Sequence, residues 1–238
     1  MPTQVKLGDL SVNVVLKDIK NVHLSVHPPT GRVTISAPSR MNLDTIRVFA
    51  ISKLGWIKQQ RRKFQEQERE TAREYIDRES HYVWGRRYLL KVVEESAPPN
   101  ICFKHNKMIL QIPPGTNNKR RRDILARWYR NQIKTAVPEL IAKWEPSLEV
   151  KVERVFVQKM KTKWGSCNPR ARSIRLNTDL AKKPRECLEY IVVHEMVHFI
   201  ERKHNDRFRK YMDQFLPQWH RYQDELNAAP LAHEKWDY

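Results

Sequence analysis

Apolar and polar residues alternate through "LSVNVVLKD" and again through "NVHLSVHPPTGRVTISAP", where "HPPTG" supplies a turn. Period-two alternation marks half-buried strands, so the first forty residues predict a hairpin-rich opening. The period then changes. Over "MNLDTIRVFAISKLGWIKQQRRKFQEQERETAREY" the apolar residues Ile46, Phe49, Ile51, Leu54, Trp56 and Ile57 give one apolar helix face, with Asn42 or Asp44 as its cap. From Gln59 to Glu74 this stretch is nearly all polar, with charges of both signs. Mixed signs fit a solvated helical extension better than a nucleic-acid contact. "HYVWGRRYLLKVVEE" and "NICFKHNKMILQIPP" predict a second pair of strands, with "SAPPN" between them.

Helical spacing returns at Ile124, Leu125, Trp128, Tyr129, Ile133, Val137, Leu140, Ile141 and Trp144, with Pro138 placed to kink or divide the helix. "VKVERVFVQKMKTKWGSCNPRARSIRLNTDLA" then predicts a strand, a turn at Asn168 and Pro169, and a second strand ending near Leu176. Pro184 opens the next helix from a first-turn position that proline tolerates. "HNDRFRKYMDQFLPQWHRYQDELN" keeps helical spacing, and the last ten residues have no clear period. No sequence repeat, low-complexity tract or Gly/Ser linker interrupts the chain. The expectation is one α+β domain over 1–238, made of a β-rich portion with one long helix (1–115), a helical portion on a small sheet (116–228) and a tail (229–238).

Composition adds a charge bias. Lys and Arg number 45 against 27 Asp and Glu, for a net charge of +18. Such a surplus attracts nucleic acid, nucleotides, acidic peptides or anionic membrane without choosing among them. Basic runs at Arg61–Lys63 and Lys119–Arg122 carry part of it, the second in a helix's first turn, where positive charge opposes the dipole. Cys102, Cys167 and Cys187 contain no C-x-x-C pair, which excludes a four-cysteine zinc site and fits a reducing compartment. Neither a signal-peptide pattern nor a membrane-length apolar run is seen, so a cytoplasmic protein is expected.

The chemistry concentrates in "VVHEMVHFIERKH", residues 192–204. Residues four apart on a helix lie about 40° from each other, so His194 and His198 leave from one face. Imidazoles on adjacent turns can reach one ion at the roughly 2.0–2.1 Å of a Zn–N bond. Glu195 stands about 100° round, outside that chelate and in the general-base position of H-E-x-x-H hydrolases. Ordinary core histidines are the bland alternative. Against it, Leu188, Ile191, Val192, Val193, Met196, Val197, Phe199 and Ile200 cover nearly the whole circumference. A helix apolar all round is buried, and burying these polar groups without a cation is costly.

The third ligand is less direct. On a continued helix His204 would lie about 240° from His198, so the helix must end near Ile200 to Lys203 and the chain must turn back. Glycine makes that turn in H-E-x-x-H-x-x-G-x-x-H proteases, and here Glu201 holds its place. Glu201 and Glu189 are rival ligands. His204 is preferred because a neutral imidazole suits zinc better.

"KWGSC" (163–167) and "YIVVHEMVHFIERKHNDRF" (190–208) together resemble the YgjP-like metallopeptidase-domain family. That family reads R/K-W-G-S-C, an L-N pair, then H-E-L-x-H with a third histidine in N-H-S-x-x-F. The matching positions are Lys163, Trp164, Gly165, Ser166, Cys167, Leu176, Asn177, His194, Glu195, His198, His204 and Phe208. "GRVTISAPSRMNLDTIRVFAISKLGWI", "VWGRRYLL" and "LARWYR" extend the likeness over most of the chain. Met196 replaces Leu, and Lys203 and Asn205 replace Asn and Ser; lysine tolerates a left-handed turn less well than asparagine. The resemblance implies one zinc ion per chain, or another divalent metal, held by His194, His198 and His204. It further implies Glu195 as base, on a small gluzincin-like or SprT-like (zincin-like) core.

Lys163, Trp164, Ser166 and Asn177 are the candidate substrate-binding residues. Lys163 could neutralise a developing oxyanion or hold a phosphate. Trp164 and Cys167 could equally pack the core behind the motif helix. The expected activity is that of a zinc-dependent metallopeptidase acting on peptides. The alternatives are a metal-dependent nucleotide phosphohydrolase, such as a nucleoside triphosphate pyrophosphatase, and a non-catalytic nucleic-acid-binding module with structural zinc.

Overall fold

The computed structural model describes residues 3–27, 31–66, 73–160 and 163–228. Residues 28–30 of the expected first turn, 67–72 of the expected helical extension and the tail 229–238 lie outside them. The architecture is α+β, and the chain divides into two compact units, with 73–228 forming the second.

In the first unit β1 (Thr3–Leu7), β2 (Leu10–Lys17), β3 (His23–His27) and β4 (Arg32–Pro38) form a sheet in the order β1-β2-β4-β3. Only the central β2–β4 pair is parallel. Alternate residues Val12, Val14, Val33, Ile35 and Ala37 face inward and share a core with Ile46, Ala50 and Ile57. Those last three come from α1 (Leu43–Ser52) and α2 (Leu54–Glu66). The single helix expected here is therefore two. At the break, the Ser52 hydroxyl donates to the Phe49 carbonyl at 2.7 Å and competes with the helical ladder, and Lys53 takes ψ near 6°. Of the two expected caps, Asn42 is the one used: its Oδ1 accepts from the Thr45 N–H at 2.8 Å.

The second unit opens on a sheet with the same plan. The two segments expected as one strand each are hairpins: β5 (Ser80–Val83) with β6 (Arg86–Glu94), and β7 (Asn100–Lys104) beside β8 (Lys107–Ile112). Trp84 and Gly85 both have positive φ (49° and 78°), the conformation that a tight two-residue hairpin turn requires. His105, at φ 54°, begins the second turn. Strand order is β5-β6-β8-β7, again parallel only at the centre. The two sheets thus repeat one topology, each followed by a helix, although the sequence shows no repeat.

α3 (Asn118–Leu148) follows, capped by Asn117, and runs unbroken past Pro138. Its stripe Leu125, Tyr129, Ile133 and Val137 shares a core with Val83, Leu90, Met108, Leu110 and Ile112 of the sheet. Within the basic run, Arg121 is used internally: its Nε donates to the Thr116 carbonyl at 3.0 Å.

A third sheet, in the order β10-β11-β9, is built from β9 (Arg154–Gln158), β10 (Gly165–Asn168) and β11 (Ser173–Asn177). A 3₁₀ turn (Thr178–Lys182) leads to α4 (Arg185–Val197), with Pro184 at its N-cap rather than inside its first turn. α4 is buried as its apolar circumference requires and packs against α3, α5 (Asp206–Phe215), α6 (Trp219–Ala228), β10 and β11. α5 and α6 divide the helix expected over 204–227. Leu216 precedes Pro217 and leaves the helical region at φ −140°. The Trp84–Gly85 turn braces the start of α4, with the Trp84 N–H donating to the Ala181 carbonyl at 2.8 Å. A Cβ on Gly85 would stand 2.9 Å from Pro184 Cγ. No helix among the described residues is long and apolar enough to cross a membrane.

Candidate metal centre

α4 ends earlier than its hydrophobic pattern suggests, at Val197, with His198 as C-cap. The Ile200 and Glu201 N–H groups both bond back to the Val197 carbonyl, which tightens the chain into a turn. None of residues 198–206 has positive φ, so the turn uses no left-handed residue. Lys203 in place of the family's asparagine is therefore no obstacle. The Glu201 carboxylate accepts from the Lys203 N–H at 3.1 Å, and Asn205 Oδ1 caps α5 by accepting from the Phe208 N–H at 3.0 Å. His204 is thereby carried back over the end of α4.

Three imidazole nitrogens converge there. His204 Nε2 lies 3.0 Å from His194 Nε2 and 3.1 Å from His198 Nε2. His198 Nδ1 stands 3.0 Å from the Glu201 carbonyl, which can only accept, so Nδ1 carries the hydrogen and Nε2 presents a lone pair. Burial holds His194 neutral, pushing its pKa down to about 3 with His198 and His204 as lesser causes. Burial also lowers His198. One hydrogen on His204 Nε2 cannot satisfy both neighbours, and lone pairs turned toward one another call for a cation among them. Nitrogens arranged tetrahedrally about an ion at Zn–N distances would be roughly 3.3 Å apart, close to what is found. The donor set fits a divalent metal.

The rival ligands are engaged elsewhere. Glu189 accepts from Lys143 Nζ at 2.7 Å and Trp144 Nε1 at 2.9 Å. Glu201 contributes its carbonyl to His198 and its carboxylate to the turn. Phe208 packs on all three imidazoles, with ring centroids 4.9, 4.7 and 4.8 Å from His194, His198 and His204. Phe208→Ala should lower the stability of the metal-free protein by about 3–5 kcal/mol in chemical denaturation. It should also weaken metal affinity by roughly 10–100-fold in a competitive titration, since the ring sets the imidazole orientations.

Glu195 is only 5% exposed, beside the trio and outside it. Burial raises its pKa to about 7, opposed by the Lys163 charge and a hydrogen bond from the Cys167 thiol. That thiol is itself pushed up to about 11 by burial and then by the Glu195 charge, so it is a donor and no thiolate nucleophile. Gly165 packs flat on Glu195: a Cβ there would meet Glu195 Oε1 at 2.6 Å and Ile191 Cγ2 at 2.7 Å. Gly165 and Cys167 alternate along β10 and so face Glu195 together. Chemistry-based reading of the sequence passed over Gly165, although its two-residue spacing from Cys167 marked that face.

These groups line a cleft of about 870 Å³. Lys163, Trp164 and Ser166 are on its wall, and Arg170 and Arg202 join them. Asn177 is not. It is buried, and its side-chain amide donates to the Met160 and Lys163 carbonyls at 2.8 and 2.9 Å, which fixes the backbone of Lys163 at the cleft.

Two metallopeptidase zymogens resemble part of the fold. Pyrococcus abyssi abylysin aligns at 18% identity and a TM-score of 0.36 over 38% of this chain and 90% of its own. Methanocaldococcus jannaschii jannalysin aligns at 23% identity and a TM-score of 0.33, over 40% and 92%. No curated protein matches. The description "YgjP-like, metallopeptidase domain" matches residues 20–229, a span containing both motif segments and most of both units. The chain belongs to the YgjP-like metallopeptidase domain family and is a metal-dependent hydrolase.

Proposed function

We propose that the chain hydrolyses peptide bonds, with His194, His198 and His204 holding one zinc ion and Glu195 acting as general base. Three imidazoles are a donor set that zinc accepts well. Such an ion would supply Lewis-acid chemistry, polarising the scissile carbonyl and acidifying water. Glu195 takes the proton from the attacking water on a carboxylate oxygen and returns it to the departing amine. Burial strengthens the carboxyl's hold on that proton, which suits a group that must take it up and then give it back. The Cys167 thiol and the Gly165 backbone fix where the carboxylate stands, and Lys163 favours its charged form.

The observation that carries a peptide substrate is the open edge of β10. Among the described residues β10 pairs only with β11. The Asn177 N–H bonds the Trp164 carbonyl at 2.9 Å, and antiparallel ladders alternate, so Ser166 and Asn168 are the β10 residues bonded to β11. The N–H and C=O groups of Gly165 and Cys167 then turn to the free edge, beside Glu195. An extended peptide can add there as a further strand, which places a backbone carbonyl within reach of the base.

A parallel assay of an unstructured protein and nucleoside triphosphates separates the readings. The proposal expects fragments from the protein, stopped by a chelator and restored by zinc. Triphosphate hydrolysis with no protein cleavage would instead assign the site to phosphoanhydrides.

A further inference from the structure

We infer that the cleft selects peptide segments carrying acidic side chains on either side of the scissile bond, an inference that rests on the peptidase reading above. Among the described residues the cleft wall carries three cations, Lys163, Arg170 and Arg202, and one carboxylate, Glu195. That leaves an excess of two positive charges, to which a bound divalent metal adds two more. Among the described residues no carboxylate lies within salt-bridge distance of Lys163, Arg170 or Arg202. In a chain of net charge +18, bare cations on a flat surface would mean little. Here they line a concavity whose one acid among the described residues is given to the chemistry, and a cleft lined by one sign concentrates ligands of the other.

The placement of the cations favours an extended chain over a compact phosphate group. Lys163 precedes β10 and Arg170 follows it, so they flank a four-residue strand roughly 13 Å long. Arg202 comes from the turn between His198 and His204. A peptide laid along β10 would meet a cation near each end of the strand, with Arg202 beside the metal centre. Phosphate cradles instead converge cations and backbone amides on one point, usually through glycine-rich loops. Gly165 is the one glycine among the described residues of this wall, and Glu195 closes its face.

The test uses zinc-loaded full-length protein and fluorogenic peptides of equal length, with one scissile pair flanked by glutamate, glutamine or lysine. The inference expects kcat/KM to fall from glutamate to glutamine to lysine by roughly 10-fold or more overall, mainly through KM. The ratio should shrink as salt is raised. Arg170→Glu and Arg202→Glu should flatten or invert the preference, whereas Lys107→Glu, on a strand of another sheet, should leave it unchanged. Lys163 is left intact in this series because its charge acts on Glu195. Affinities of Glu195→Gln protein for the same peptides, read by fluorescence anisotropy, should follow the same order. Equal kcat/KM for all three peptides, or a preference untouched by both reversals, overturns the inference and leaves the peptidase reading standing. Triphosphate hydrolysis without cleavage of any peptide overturns both.

Discussion

Replacing Glu195 by glutamine should lower kcat for peptide cleavage by about 10²–10⁴-fold, the range of a lost general base, while metal content stays at the wild-type level. The separation follows from geometry: the three converging nitrogens belong to histidines, and Glu195 stands beside them. The same substitution carries a second signature in metal-free protein. The folded state binds a proton on Glu195 more tightly than the unfolded chain, because burial raises the pKa from 4.5 to about 7. A carboxyl raised in this way imposes no cost below about pH 4.5. Its cost grows as pH rises through the window up to about 7 and is full above it. The interval corresponds to roughly 3 kcal/mol. Metal-free Glu195→Gln should therefore be more stable than wild type near pH 8 by up to that amount, and nearly equal to it near pH 4.5. Loss of metal from the variant would make Glu195 a ligand, and undiminished turnover would remove it from the mechanism.

The second large effect is expected at Gly165, which carries no reactive group. Its backbone dihedrals lie outside the left-handed region, so alanine brings no backbone strain; what it lacks is space. The added methyl would lie 2.6 Å from Glu195 Oε1, 3.0 Å from Glu195 Cγ and 2.7 Å from Ile191 Cγ2. Ile191 is held in the core, so the carboxylate is the group that yields. A displacement near 1 Å at a catalytic group costs on the order of 10²-fold in rate. Overpacking adds a stability loss of roughly 1–3 kcal/mol. Gly165→Ala should therefore lose about two orders of magnitude in kcat with metal retained. Ser166→Ala, whose side chain points to the other face of β10, should lose much less. A folded Gly165→Ala protein with near wild-type kcat would show that the carboxylate position is not critical.

The parts of this site that could be read in advance are those where spacing and chemistry reside on one element. His194, Glu195 and His198 share a helix of known period, and the apolar residues around them announce its burial. His204 was harder because its place depends on a turn, and the expected left-handed residue is replaced by short-range bonds to Val197 and Glu201. The facing wall was only half legible. "KWGSC" identified the segment, but which residues meet Glu195 depends on the pleat and register of β10. Gly165 acts through the absence of a side chain, a property no chemical motif displays. Arg202 sits in a turn, where no periodicity assigns a direction. The hairpins at Trp84 and His105 were missed because neither turn carries the Asn-Gly or Asp-Gly signal, and a tryptophan in the left-handed region is unusual. The repeated sheet topology lies in strand order, which no likeness between the two stretches of sequence announces.

A metal titration of activity asks at once whether one divalent ion, three histidines and peptide hydrolysis belong to the same site. Metal-stripped protein would be assayed on an unstructured protein substrate while zinc is added stepwise. Cleavage should start at background and rise linearly to a plateau at one equivalent per chain. Full cleavage before any metal is added, or none at any zinc level despite stoichiometric binding, would contradict that assignment.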